Sequence, residues 1–170
     1  MDLFEVIARR RSIRTLQSRP VEPEKLQAIL EAARQAPSAG NLQAYVIYEV
    51  TDPARRRALA QAADQEFVAQ APVVLVFCAY PARSAIKYGQ RGERLYALQD
   101  ATIAAAYAQL AAAALGLGSV WVGAFADEAV ARALDLPAGL RPIALVPIGY
   151  PAEAPAPPPR RPLAEIVRRI

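Results

Sequence analysis

From Ala101 to Ala126 the chain carries no charged residue, and that run constrains the fold more than any other feature of the sequence. It is long enough to span a bilayer. Gly116 and Gly118 divide it, however, and Ser119-Val120-Trp121-Val122 beyond them has the β-branched and aromatic character of a strand. The run therefore reads as a long buried helix followed by a buried strand, with no membrane span. The helix is predicted from about Glu93 to Leu115, and past Asp100 its only polar side chains before the glycines are Thr102, Tyr107 and Gln109. A helix that is apolar around nearly its whole circumference needs cover on every side. A chain of 170 residues can bury one central helix, but the alanine-rich surface also permits close helix approach across a subunit interface, so a homodimer is expected.

Around this helix, helical and strand patterns alternate. Asp2 can cap a first helix over Leu3 to Arg10, and a second opens at Glu22-Pro23-Glu24 and runs to about Ala36, where Pro37-Ser38-Ala39-Gly40-Asn41 stops it. Tyr45 to Val50 reads as a strand, Asp52-Pro53 opens an Arg-rich helix to about Ala63, and the continuous apolar run Val73 to Ala79 reads as a central strand. Tyr80 to Gly92 is polar and reads as a mobile loop. A short helix over Asp127 to Leu134 and a strand over Pro142 to Ile148 follow. Pro151 to Pro159 can only be an extended arm, and Pro162 to Val167 then resumes a helical pattern. The expectation is one layered domain over residues 1–170, α/β or α+β, around a sheet of about four or five strands, with 151–170 as an arm and short helix.

Several chemistries are excluded by what is missing. The sequence has no histidine, which removes imidazole-based triads, His-containing zinc sites and His-based pH switching. A lone cysteine, Cys78, allows no internal disulfide, no CxxC pair and no thiolate cluster, so no metal site is expected and the compartment reads as reducing. The N-terminus carries acids where an export signal would carry bases, and a cytoplasmic protein is expected. Apolar residues at 54% and charged residues at 21% argue for a packed globular chain. The net charge of +4 is almost wholly due to arginine, since only Lys25 and Lys87 are lysines.

Four clusters remain that can carry chemistry. Arg9-Arg10-Arg11-Ser12-Ile13-Arg14 places several guanidinium forks and a hydroxyl within one turn and a bend, which suits a phosphate monoester; it equally suits a solvated helix end. Aromatic residues do not alternate with these arginines as they do on a nucleic-acid stacking platform, and no nucleic-acid partner is expected. Pro37 to Gln43 lets backbone approach a flat ligand while Asn41 and Gln43 donate and accept along its edge, or it is an ordinary helix stop. Gly116-Leu117-Gly118 follows a helix and precedes a strand, the reverse of a dinucleotide fingerprint, and reads as a helix C-terminal stop. Arg160-Arg161, beyond the proline arm, can meet the N-terminal arginines around one anion.

In order along the chain, Arg-Arg-Arg-Ser-Ile-Arg (9–14), Ala-Pro-Ser-Ala-Gly-Asn-Leu-Gln (36–43), Leu-Gly-Leu-Gly-Ser-Val-Trp-Val-Gly-Ala-Phe (115–125), Pro-Ile-Gly-Tyr-Pro (147–151) and Arg-Arg-Pro-Leu (160–163) resemble the nitroreductase family of flavin enzymes over essentially the whole length. The resemblance implies an α+β three-layer sandwich with a mostly antiparallel sheet, an intertwined homodimer and FMN at the subunit interface. Carried over, Arg10, Arg11, Ser12 and Arg14, with Arg160 and Arg161, hold the FMN phosphate and ribityl chain. Pro37, Ser38, Ala39, Asn41 and Gln43 come from the partner subunit to line the isoalloxazine; Val122 and Gly123 lie by the ring, and Gln65 is a further contact. The implied activity is hydride transfer from NADH or NADPH through FMN to a nitroaromatic, quinone or similar acceptor in a ping-pong cycle. No side chain is assigned a catalytic role, because the cofactor carries the chemistry. A flavin-binding sensor with little turnover, or a dehalogenating or flavin-degrading enzyme, is the alternative. The chain departs from larger members between Val73 to Ala79 and the long helix, where only Tyr80 to Gly92 stands in place of the helices that roof the flavin.

Overall fold

Two helices start where the sequence places an acid just ahead of the first turn. The Asp2 carboxylate accepts the Glu5 N–H at 2.9 Å while the Glu5 carboxylate accepts the Asp2 N–H at 3.1 Å, a reciprocal cap. Asp52 accepts the Arg55 N–H at 2.8 Å. The computed structural model describes residues 2–170. Their order is α1 (Leu3–Arg9), α2 (Pro23–Arg34), a 3-10 turn (Ala39–Asn41), β1 (Tyr45–Val50), α3 (Pro53–Ala63), α4 (Phe67–Gln70) and β2 (Val73–Ala79). There follow α5 (Pro81–Arg91), a π-helical turn (Gly92–Tyr96), α6 (Ala97–Ala114), β3 (Gly118–Ser119), α7 (Asp127–Ala133), β4 (Arg141–Gly149) and α8 (Leu163–Ile166).

The strands form one four-stranded sheet in the order β1-β2-β4-β3, antiparallel at every pairing. Alternation along β2 builds three layers. Val73, Leu75 and Phe77 point to α2 and α6, where they meet Ile29, Ala33, Ala104, Ala105 and Ala108; Val74, Val76 and Cys78 point to Leu59, Val68 and Val130 of α3, α4 and α7. β4 repeats the division, with Ala144, Val146 and Ile148 on the first face and Leu145 on the second. Both faces are covered, so β2 reads as an unbroken apolar run. The structure is therefore an α+β three-layer sandwich around an antiparallel sheet.

Two expectations are corrected. Tyr80 to Gly92 is not a loop: it is α5, broken at Gly89 (φ 52°, ψ −141°) and continued by the π-helical turn into α6. Pro81 fits the first turn, where its missing N–H has no intrahelical partner, and Ser84, Ala85 and Tyr88 turn toward the protein; but only Ser84 is buried, Ile86 is 86% exposed, and Gly89 breaks the pattern after two turns, so the short polar segment reads as a loop. The predicted strand over Ser119 to Val122 is interrupted. Ser119 faces Ile148 and Val122 faces Leu145, so the register is kept while Val120 and Trp121 leave the ladder.

From Ala152 to Ile170 the chain lies exposed on the surface, and α8 leaves Leu163 and Ile166 uncovered. Among the described residues no helix is long and apolar enough to cross a membrane.

Candidate functional site

Past α1 the chain straightens, and the Ile13 N–H donates to the Ser119 carbonyl at 3.0 Å, which seats residues 12–14 along β3. The C-terminal arm then comes back beside them. Ala152 donates its N–H to the Thr15 carbonyl at 2.9 Å, and the Glu153 carboxylate accepts the N–H groups of both Thr15 and Arg14. These two backbone donors hold the Glu153 carboxyl below its usual range. The arm thereby crosses over a cavity of about 290 Å³ that gathers Arg10, Arg11, Ser12, Arg14 and Arg160. Among the described residues none of these four guanidinium groups has a carboxylate partner. Burial, and then the nearby charges of Arg160 and Arg11, push the Arg10 guanidinium below its ordinary value. Unpaired like charges brought this close call for an anion, and a phosphate monoester supplies both the charge and enough acceptor oxygens for several forks. The donor set thus fits a phosphate-bearing cofactor. Arg161 is not among the lining residues; its Nε pairs with Glu165 at 3.2 Å on α8.

The second predicted cluster, Pro37 to Gln43, is held from a distance. Asp100 on α6, only 2% exposed, accepts the Ala39 N–H on Oδ1 at 3.0 Å and the Ala44 N–H on Oδ2 at 3.2 Å. Within the loop the Ser38 hydroxyl accepts the Gln43 N–H at 3.0 Å, and the Gln43 amide donates to the Asn41 carbonyl at 3.1 Å. Gly40, Asn41 and Gln43 all have positive φ (56°, 59° and 50°), so this shape is strained for two of its three residues and relies on those bonds. Pro37, Ser38 and Ala39 face a cavity of about 580 Å³ shared with Tyr96, Asp100 and Ile103. Its exposed backbone and small side chains leave room for a flat ring. Sequence reasoning missed Asp100. The one signal was its place as the last charge before a long uncharged run.

The remaining predicted residues are dispersed. Val122 is buried and both its N–H and its carbonyl bond Leu145 at 2.9 Å, so its backbone is committed to the sheet. Gly123, next to it, is exposed and has no backbone partner among the described residues. Gln65 lies half-buried at the junction of α3 and α4, with its N–H on the Ala60 carbonyl at 3.0 Å. The cradle and the loop do not share a cavity within one chain. Ala113 and Gly116 to Ser119 border the space next to the cradle, and Asp100 holds the loop, so the two lie near opposite ends of α6. At ~1.5 Å per residue, Asp100 and Ala113 are on the order of 20 Å apart.

A nitroreductase-type sandwich that carries an anion cradle and a backbone-lined slot defines the class of the molecule. Comparison with known proteins agrees. The family model described as "Nitroreductase family" matches residues 7–67 and 60–150. A Thermus thermophilus protein described as "NADH dehydrogenase" is 37% identical over 98% of this chain and 95% of its own length. A Bacillus subtilis "FMN reductase [NAD(P)H]" is 33% identical over 95% of this chain and 70% of its own. The solved structure of the NADPH:FMN oxidoreductase from Vibrio harveyi complexed with NAD+ superposes with a TM-score of 0.89 at 32% identity, covering 98% of this chain and 76% of that one. The chain belongs to the nitroreductase family.

Proposed function

We propose that this protein is an FMN-dependent oxidoreductase that takes hydride from NAD(P)H and reduces nitroaromatic, quinone or similar electron-poor acceptors in a ping-pong cycle. The arginine cradle carries the reading: a cavity with four guanidinium groups that no carboxylate neutralises among the described residues is poised for a phosphate, and the relatives named for FMN have the same fold. Bound there, FMN would supply the redox chemistry, with hydride entering and leaving at its N5. The protein's part is to bind, orient and shield. Arg10, Arg11, Ser12, Arg14 and Arg160 would hold the phosphate and ribityl end, with Arg161 joining once released from Glu165. Pro37, Ser38, Ala39, Asn41 and Gln43 would present backbone and amide groups to the ring, the exposed Gly123 backbone would lie beside it, and Gln65 would be a further contact.

The working unit in this reading is a homodimer, in which the cradle of one subunit meets the loop of its partner. The separation of cradle and loop along α6 supports it. So does uncovered apolar surface: Phe4 is 81% exposed and Leu163 76%, and Ala106 and Tyr107 leave one side of α6 open. Residues 151–170 would then act as an arm of a single FMN-binding domain spanning 1–170. Cytoplasmic placement fits the lone cysteine, Cys78, which is buried and whose thiol burial pushes up to about 12.

The visible spectrum of the purified protein tests this reading. A bound-flavin spectrum that bleaches on adding NADH or NADPH without oxygen is expected; a colourless protein that refuses added FMN would overturn it. A flavin spectrum that neither nucleotide bleaches would favour a sensor.

A further inference from the structure

The helix that replaced the expected loop carries an unused constellation. Between Pro81 and Tyr96 stand Arg83, Lys87, Arg91 and Arg94 against a single acid, Glu93. Among the described residues none of the four cations is in an ion pair. The break at Gly89 lets Tyr88 and Tyr96 meet edge to face at 5.1 Å and 84°. Lys87 Nζ lies 5.4 Å from the centre of the Tyr88 ring, and the Arg91 guanidinium carbon lies 5.4 Å from that of Tyr96 while its Nε donates to the Tyr96 hydroxyl at 2.9 Å. Two aromatic faces are thus flanked by two cations whose charges have no partner.

This platform adjoins the slot. Tyr96 lines the 580 Å³ cavity together with Ser38 and Ala39. A Cβ built on Gly40 would fall 2.5 Å from the Tyr88 hydroxyl and 2.9 Å from Lys87 Nζ, so α5 rests directly on the loop. Arg83 donates to the Leu42 carbonyl and ties the same helix down. A donor whose nicotinamide enters this slot must lay its other end across the rim, and an aromatic pair flanked by cations is matched to a purine face and a phosphate. NADPH differs from NADH by one phosphate monoester, close to a dianion at neutral pH.

We propose that Tyr88 and Tyr96, with Lys87 and Arg91, seat the adenosine 2′-phosphate end of the electron donor and select NADPH over NADH. The inference rests on the oxidoreductase reading above and goes beyond it, since the relatives are named for NADH, NAD(P)H and NADPH alike.

Calorimetric titration of the purified protein with 2′,5′-ADP, 5′-AMP and inorganic phosphate tests it, with flavin content read on the same sample. 2′,5′-ADP is expected to bind at least about tenfold more tightly than 5′-AMP or phosphate, a margin within reach of two charge-assisted contacts. In Lys87→Ala/Arg91→Ala, two exposed substitutions, that ratio should fall to near one, and the ratio of kcat/KM for NADPH to that for NADH should fall with it. Arg57→Ala, which removes an exposed charge on α3, should leave both ratios in place. Equal binding of 2′,5′-ADP and 5′-AMP by the native protein, or a preference that survives the double substitution, overturns the proposal. A colourless sample that refuses added FMN and still prefers 2′,5′-ADP would uphold the seat and sink the flavin reading, so the two can fail separately.

Discussion

The cradle at one end of α6 is made of arginine side chains that, among the described residues, no carboxylate holds in place, whereas the loop at the other end is made of backbone that a buried carboxylate holds by two N–H groups. The first can grip a ligand only through charge. The second grips through shape, and its shape is set by a carboxylate buried in the fold. Ligand affinity at the cradle should therefore respond to salt and leave stability alone, while changes at the loop should register first in stability.

The largest effect should come from the support of the loop. Asp100→Ala leaves the Ala39 and Ala44 N–H groups without their acceptor, which should cost roughly 2–4 kcal/mol of folding stability in a urea titration. A loss below about 1 kcal/mol would mean that the loop holds itself and would erase the contrast. Next is the cradle: Arg14→Ala should weaken FMN binding by roughly 1–3 kcal/mol, with a shallower salt dependence and an unfolding midpoint close to native. Unchanged affinity would remove Arg14 from the phosphate. Asn41→Ala combines both characters in smaller measure, since a left-handed backbone costs Ala about 1 kcal/mol more and the amide proposed to face the ring is removed. It should slow flavin reduction while the sedimentation behaviour stays that of the native protein; an identical spectrum and rate would count against its proposed placement.

The smallest effect concerns the frame behind the cradle. Tyr150, next to the start of the arm, donates its hydroxyl to the Glu22 carboxylate at 2.6 Å, and that bond above all, with Arg19 and Lys25 nearby, holds the Glu22 carboxyl down to about 2. A lowered folded value means that its contribution is complete above the ordinary 4.5 and is lost as the pH falls through about 2. Melting curves of native protein and Glu22→Gln should accordingly converge over that interval. Parallel curves would show that the frame is indifferent to this charge.

How much was legible follows from how local each feature is. β1 and β2 fall on the predicted residues because runs of β-branched, aromatic and apolar residues are properties of consecutive side chains. The arginines from Arg10 to Arg14 were legible as a group for the same reason. α5 was not, because Gly89 cuts its pattern short after two turns and most of its side chains, Ile86 among them, are exposed. Asp100 was not, because its partners Ala39 and Ala44 are 61 and 56 residues away and backbone N–H groups leave no mark in a sequence.

By itself the sequence determined the alternation of helices and strands, the uncharged central helix, and the chemistries closed to a chain with one cysteine and no histidine. Only the tertiary structure decided that the arm returns Arg160 to the N-terminal arginines, that Asp100 sets the loop, and that one chain keeps the cradle and the loop at opposite ends of a helix. Periodicity records which face of an element is buried. It does not record which distant backbone closes on which side chain, since that depends on loop closure and on hydrogen bonds that any residue can make.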